Sequence, residues 1–458
     1  MTHKTLYLLS LIGLLLTSCS DPHKPRLPGN RLSVLESEVM LRVDIDPSAI
    51  EVTLPPAEVI NAWPQNGFHP THKIPHARQN LQGKVQWQES IGSGNSSTRA
   101  ITSPPISDGQ FIYTMDAYNK IECRTLDDGK LLWHKNTLLD GDDENVKSKS
   151  KTKGYTGKNH VGSHGEVIGG GLALDIEGKS LYASYPDGVI AKAAAKDGDL
   201  GWYIRLPDLI RSSPLVNQNT VYVLTANNKI YAIDKETGRI LWTYSAREEA
   251  VSFAGSPVPA VYQSTVIAPF SSGELCSLHP ANGLEFWRDS AMSYRTIDSK
   301  SIICQFLSNP VIDRDLIIAV SHGDLTTAID LSTGQRVWQK PMGGTQTPFV
   351  TESFVYMITS SNDLVCLTRS SGKIVWVHAL KMFKDEKKKK DRIQWYGPVM
   401  SGGRLMVVSS VGDINFLSPQ DGQVLEADQY DQSFIFAPVL VKDKALLLSA
   451  SGQLTALV

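Results

Sequence analysis

Adjacent cysteines, a Cys-x-x-Cys-His haem-attachment run and a glycine-rich phosphate loop are all missing from these 458 residues. Without them the common signatures of redox, haem and nucleotide chemistry have no footing, and no His, Asp and Ser grouping takes their place. Charge is nearly balanced, at −2 net, so no broad basic surface awaits a nucleic acid. Cysteine is sparse, with Cys123, Cys276, Cys304 and Cys366 beyond Cys19. The first and last of those four sit where other repeats carry Ala232 and Ala328, which marks them as small core residues. Cys276 with Cys304 is the pair whose placement permits a disulfide in an oxidising compartment, and two free thiols are the alternative.

What the chain has in abundance is one spacing, a Gly followed four residues later by a Trp. The series runs Gly83/Trp87, Gly129/Trp133, Gly198/Trp202, Gly238/Trp242, Gly283/Trp287, Gly334/Trp338 and Gly372/Trp376, and Gly422 then reaches Glu426 where a further Trp would fall. Seven of the nine tryptophans stand in these slots, at steps of 46, 69, 40, 45, 51 and 38 residues. That is the period of stacked four-stranded units. In the clearest copy Val221-Tyr222-Val223-Leu224 alternates as a strand, Asn227-Asn228-Lys229 turns, Ile230 to Asp234 is a second strand, and Thr237-Gly238 turns into Arg239-Ile240-Leu241-Trp242. Gly238 supplies the positive φ of the hairpin, and Asp234 and Thr237 bond nearby backbone. Nothing in the unit reads as helix.

The two ends of the array complete each other. Residues 445–458 supply inner strands but stop before any Gly and Trp, whereas Gly83-Lys84-Val85-Gln86-Trp87 supplies an outer strand with nothing before it. Joining them makes eight units, so the fold class expected is all-β: an eight-bladed β-propeller of four-stranded antiparallel blades over 81–458, closed by an N-terminal outer strand. An open, capped β-solenoid leaves that complementarity unexplained.

Ahead of the array, Lys4 precedes an apolar stretch from Leu6 to Leu16, too short to span a bilayer and of signal-peptide size. It ends in Leu16-Thr17-Ser18-Cys19, which resembles the bacterial lipobox. The resemblance implies a signal peptide over 1–18, lipidation of Cys19 and, with Ser20 following, export to the outer membrane; three acyl chains then anchor durably. An ordinary cleaved signal peptide with Cys19 incidental is the alternative. Residues 19–80 are Pro-rich and read as a tether, in which Leu41 to Ile45 alternates as a short strand or extended linker. His69, His72 and His76 fit no zinc spacing, so exposed or capping histidines are expected and no metal. Two Lys-rich insertions, 140–160 and 384–392, read as solvated loops.

Propellers of this repeat type resemble the quinoprotein alcohol dehydrogenases, in which adjacent cysteines commonly clamp the quinone; their absence here implies no cofactor and no catalytic residues. A closer resemblance runs through Leu27-Pro28-Gly29-Asn30-Arg31-Leu32-Ser33-Val34-Leu35, Trp63-Pro64-Gln65-Asn66-Gly67-Phe68-His69-Pro70, Ile101-Thr102-Ser103-Pro104-Pro105 and Gly343-Gly344-Thr345-Gln346-Thr347-Pro348. These look like the BamB-type outer-membrane assembly lipoproteins. That resemblance implies a non-enzymatic scaffold on the periplasmic face of the outer membrane of a Gram-negative bacterium, binding POTRA domains of a BamA-like barrel protein and aiding unfolded outer-membrane proteins. It also implies a partner contact on the loops after Trp242, at Val251, Ser252 and Phe253, and after Trp287, at Gln305 and Phe306. The second loop departs from the family pattern, which places acidic residues there. A quinoprotein-like dehydrogenase or small-ligand-binding propeller is the alternative function.

Overall fold

Alternating apolar residues and turn glycines build one repeated sheet. A computed structural model describes residues 41–45, 50–139, 168–249, 257–291 and 305–458. Among these the strands form eight four-stranded antiparallel sheets and one two-stranded hairpin. Blade 1 comprises Ile106–Ser107, Phe111–Met115, Ile121–Thr125 and Leu131–Lys135. Blades 2 to 7 end in the outer strands Leu200–Arg205, Ile240–Ser245, Glu285–Ser290, Arg336–Lys340, Ile374–Ala379 and Val424–Gln429. Blade 8 takes three strands from the C-terminus, Val439–Val441, Lys444–Leu448 and Gln453–Leu457, and its outer strand, Val85–Ser90, from the other end of the chain. Gln88 faces Thr455 and Ser90 faces Gln453 in that closing pair.

Two side-chain relationships explain why Gly and Trp recur. Within a blade, the Trp shares a cross-strand row with an aromatic and a small residue: Tyr113, Cys123, Trp133 in blade 1 and Tyr356, Cys366, Trp376 in blade 6. The two rings of these rows lie 6.2 and 6.0 Å apart. The central residue of these rows is small, whereas blade 2 places Lys192 between Tyr182 and Trp202, whose rings lie 6.1 Å apart, with its ammonium 5.9 Å from the centre of the Tyr182 ring. Between blades, each Trp lies on the turn glycine of the next: a Cβ on Gly334 would sit 2.5 Å from the Trp287 ring, and one on Gly372 2.5 Å from the Trp338 ring. Both glycines also have φ near +70°, which few other residues tolerate. Burial of this aromatic surface is the main apolar term joining neighbouring blades.

The closing junction lacks this device. Glu426 holds the Trp slot of blade 7 and pairs with Arg404 at 2.7 Å. Arg404 also donates to the carbonyl of Leu81 at 2.6 Å and to Asn80 Oδ1 at 2.9 Å, with its guanidinium 4.3 Å from the centre of the Phe416 ring. Polar bonds therefore fasten the N-terminal segment where a Trp fastens the others, and the Phe416 ring of the same blade steadies the guanidinium that makes them.

The expected tether does not stay free of the propeller. From residue 50 to 82 the chain is bound to blade after blade, at the ends of the innermost strands. Trp63 exchanges two backbone bonds with Ser107 of blade 1, Leu174 N of blade 2 donates to Pro64 O, and Val216 N of blade 3 donates to Gln65 Oε1. Val261 N of blade 4 donates to Pro70 O, Ile312 N of blade 5 to Thr71 O, Ala77 N donates to Met400 O of blade 7, and Lys442 N of blade 8 donates to Ile60 O. At blade 6, Val52 joins the cluster containing Phe354. Prolines hold this strap extended, and its remaining N–H and C=O groups complete the inner strands.

The strap divides the three histidines between the two expected roles. His69 is exposed, whereas His72 and His76 are buried and bond backbone groups. His76 accepts from Gly403 N at 2.8 Å on Nε2, so Nδ1 carries the proton given to Pro55 O at 2.9 Å. His72 Nδ1 bonds Pro310 O at 2.9 Å. Residues 384–392 form a hairpin, Phe383–Asp385 against Lys390–Arg392, with the lysines exposed.

Candidate functional site

Three features of the described residues face possible partners: an axial funnel, the outer rim of the blades and the basic hairpin. The funnel has a volume of about 560 Å³. Its walls come from the innermost strands and the segments that precede them, including Ile101, Arg211, Asn309, Tyr396 and Phe436, and the strap lines it through Trp63, Asn66, Gly67 and Ile74. Among the described residues Arg211 is the single cation of the lining, and no Asp, Glu or His contributes. Burial pushes the Tyr396 hydroxyl up to about 12, which keeps it neutral.

Pyrroloquinoline quinone, the group this repeat type suggests, is a tricarboxylate. One arginine and no carboxylate in the lining do not fit such a group, and no set of three or more His, Cys, Asp or Glu side chains among the described residues is arranged to hold a metal ion. The cysteines are equally unsuited to clamping a ligand. Burial raises the thiols of Cys123 and Cys276 to about 12, and both are free, as is Cys366. Cys304, the other half of the possible disulfide, lies outside the described residues.

The rim is chemically richer. Every outer strand carries a bulge at the third residue after its turn glycine, seen as a register skip between Arg124/Leu131 and Cys123/Trp133 in blade 1, and between Ile233/Ile240 and Ala232/Trp242 in blade 3. The bulge turns aliphatic side chains outward. Leu132, Leu241, Phe286, Val337 and Leu425 are all exposed there. Bulges blunt a sheet edge against indiscriminate pairing while leaving a short stretch of main chain available.

Of the partner-contact positions read from the sequence, Val251, Ser252 and Phe253 lie outside the described residues, as does Cys19. The structure removes Gln305 and Phe306 from the surface: Phe306 is 1% exposed, bridges to Ser321 and packs with Ile312 and Ile317. Gln305 is buried too, its carbonyl accepting from His322 N at 2.9 Å. The local sequence gave no warning, because both residues look loop-like until blade 5 closes over them. In the sequence the rim is marked by the residues between Gly and Trp, which include a basic one in five of the seven pairs, Lys84, Lys130, Arg239, Arg336 and Lys373.

Comparison with known proteins places this architecture. The family described as outer membrane protein assembly factor BamB matches residues 126–378. The outer membrane protein assembly factor BamB of Yersinia pestis is 22% identical over 384 residues, covering 84% of this chain and 91% of that one. Its namesake in Escherichia coli is 20% identical over 383 residues, covering 83% and 90%. Among solved structures, BamB from Moraxella catarrhalis superposes with a TM-score of 0.59 at 15% identity, covering 81% of this chain and 97% of that one. A europium-containing methanol dehydrogenase reaches a TM-score of 0.64 at 13% identity, covering 85% and 89%. The two structures share the propeller fold with this chain, and the match over more than half its length decides kinship: the chain belongs to the BamB family of outer membrane protein assembly factors.

Proposed function

We propose that this protein is a non-enzymatic scaffold of the β-barrel assembly machinery, anchored by acyl groups on Cys19 to the periplasmic face of the outer membrane. It binds the POTRA domains of a BamA-like barrel protein and helps present unfolded outer-membrane proteins for insertion. Family membership over residues 126–378 is the observation that carries this reading. A funnel lined in part by the chain's own strap, and without carboxylates among the described residues, supports it against the dehydrogenase alternative. Loop 251–253 is the proposed POTRA contact; Gln305 and Phe306 support their blade from within.

The test is a photo-crosslinker at Phe253 in the membrane-anchored protein, followed by purification from envelopes. A POTRA-bearing barrel protein in the crosslinked band is the expected result. Recovery of a coloured, quinone-loaded protein with calcium-dependent dehydrogenase activity, or of no barrel protein, would sink the proposal.

A further inference from the structure

Three outer strands begin alike after their turn glycine: Lys130-Leu131-Leu132-Trp133 in blade 1, Arg239-Ile240-Leu241-Trp242 in blade 3 and Lys373-Ile374-Val375-Trp376 in blade 6. All three place the bulge at the second aliphatic residue. Their surroundings differ. Leu131 and Leu132 are 39% and 47% exposed, and Ile240 and Leu241 are 43% and 40% exposed, whereas Ile374 and Val375 fall to 4% and 0%.

On blade 6 the rim is occupied by the chain itself. Asp44 N donates to Ile374 O at 2.8 Å, and Ile374 N donates back to Asp44 Oδ2 at 2.8 Å. Lys340, on the neighbouring outer strand, pairs with the same carboxylate at 2.6 Å. One residue thus satisfies both main-chain groups that the strand turns outward, and it does so at the bend Asp44-Ile45, where Ile45 N also donates to Ile374 O at 3.3 Å. The molecule carries a worked example of what this rim accepts: a carboxylate flanked by aliphatic residues, read by one N–H, one C=O and a nearby cation.

Among the described residues, blades 1 and 3 present the same pattern unfilled, but their neighbours are not equivalent. The position matching Lys340 is Glu89 beside blade 1 and Ile204 beside blade 3, counted six residues after the preceding turn glycine in each case. Lys130 and Arg239 are both exposed and attract a carboxylate, but on blade 1 the half-exposed Glu89, 3.6 Å from Arg124, opposes it, whereas beside blade 3 Ile204 is neutral. We propose that the rim of blade 3, at Arg239, Ile240 and Leu241, docks a segment of an unfolded outer-membrane protein in which an acidic residue is flanked by aliphatic ones. The site deepens the assembly-factor reading and rests on it for the identity of the partner. Transmembrane barrel strands alternate apolar with polar side chains, so such segments are plentiful before insertion. The bulge at Leu241 keeps the pairing to a few residues, which makes the contact short, weak and releasable.

The test uses the full chain and a fluorescent peptide containing Leu-Arg-Val-Asp-Ile, the sequence of residues 41–45, read by anisotropy. Saturable binding is expected, weakened about tenfold by Arg239→Glu or Leu241→Glu and by Asp→Asn in the peptide, and unchanged by Leu132→Glu on blade 1. All three protein substitutions are at exposed positions, and unchanged melting temperatures will verify that the variants are folded. Absence of saturable binding, indifference to the blade 3 changes, or equal loss from Leu132→Glu would each overturn the proposal. The Phe253 crosslink is scored separately in the wild-type chain: its presence without saturable peptide binding fails the rim site alone, and its absence with saturable peptide binding fails the assembly reading alone.

Discussion

Trp338 donates its indole N–H to the carbonyl of Arg369 at 2.7 Å, across the junction from blade 5 to blade 6. The same bond, always to the residue three before the next turn glycine, recurs from Trp87, Trp202, Trp242, Trp287 and Trp376. Trp133 is the exception: it packs over Gly198, yet its indole nitrogen is buried without a partner.

A comparison of two phenylalanine variants follows from that difference. Trp338→Phe leaves the Arg369 carbonyl unpaired and is expected to cost about 1–3 kcal/mol. Trp133→Phe loses no bond and removes an unsatisfied donor, so it is expected to cost about 1 kcal/mol less than its counterpart. Urea melts of the two variants measure the gap, and equal costs would mean that packing alone sets the strength of these junctions.

The ring should open first where it is closed differently. Arg404→Ala removes the ion pair to Glu426 and both bonds to the segment at Asn80 and Leu81, with an expected loss of about 2 kcal/mol. Cleavage by a protease between residues 79 and 90 should accelerate in this variant before any other blade becomes sensitive. Simultaneous loss of all blades in a single transition, with no early cut, would show that the closing strand has no weaker bond than the rest.

The blades were legible because Gly and Trp act over four residues and one neighbouring repeat, so the spacing carries the packing. The strap was not. Its partners lie far along the chain, Thr71 with Ile312 and His72 with Pro310, and proline-rich composition has the same look in a free linker and in an extended strand. Trp63 was the available clue: a tryptophan outside the repeat, buried at 4% and edge-on to Phe68 at 5.2 Å. Gln305 and Phe306 were misread as surface for a related reason, since only the closed blade shows that they point inward.

Cysteine chemistry offers a simple check on the rows that cross each blade. Burial holds the Cys123 and Cys276 thiols near 12 and pushes Cys366 up as well, so none supplies thiolate at neutral pH. In native protein, iodoacetamide at pH 8 should leave all three unmodified, and in strong denaturant all three should react. Labelling of Cys123 without denaturant would mean that the Tyr113 to Trp133 row opens in the folded state.

His72 makes the strap sensitive to acid. Complete burial lowers its pKa to about 4 against the ordinary 6.5, outweighing the opposite pull of the Pro310 carbonyl. Its neutral ring is the form the fold requires, and Nδ1–H is the proton given to Pro310. The unfolded chain binds a proton that the folded chain refuses between pH 6.5 and 4, so stability present above 6.5 declines as pH falls through that interval, by about 3 kcal/mol in all. Hydrogen exchange at Val261 and Ile312, whose amides bond the strap at Pro70 and Thr71, should quicken over that range relative to amides in the blade interiors. His72→Gln, which can still donate to Pro310 but does not titrate, should flatten the dependence; an unchanged pH profile in that variant would place the acid sensitivity elsewhere.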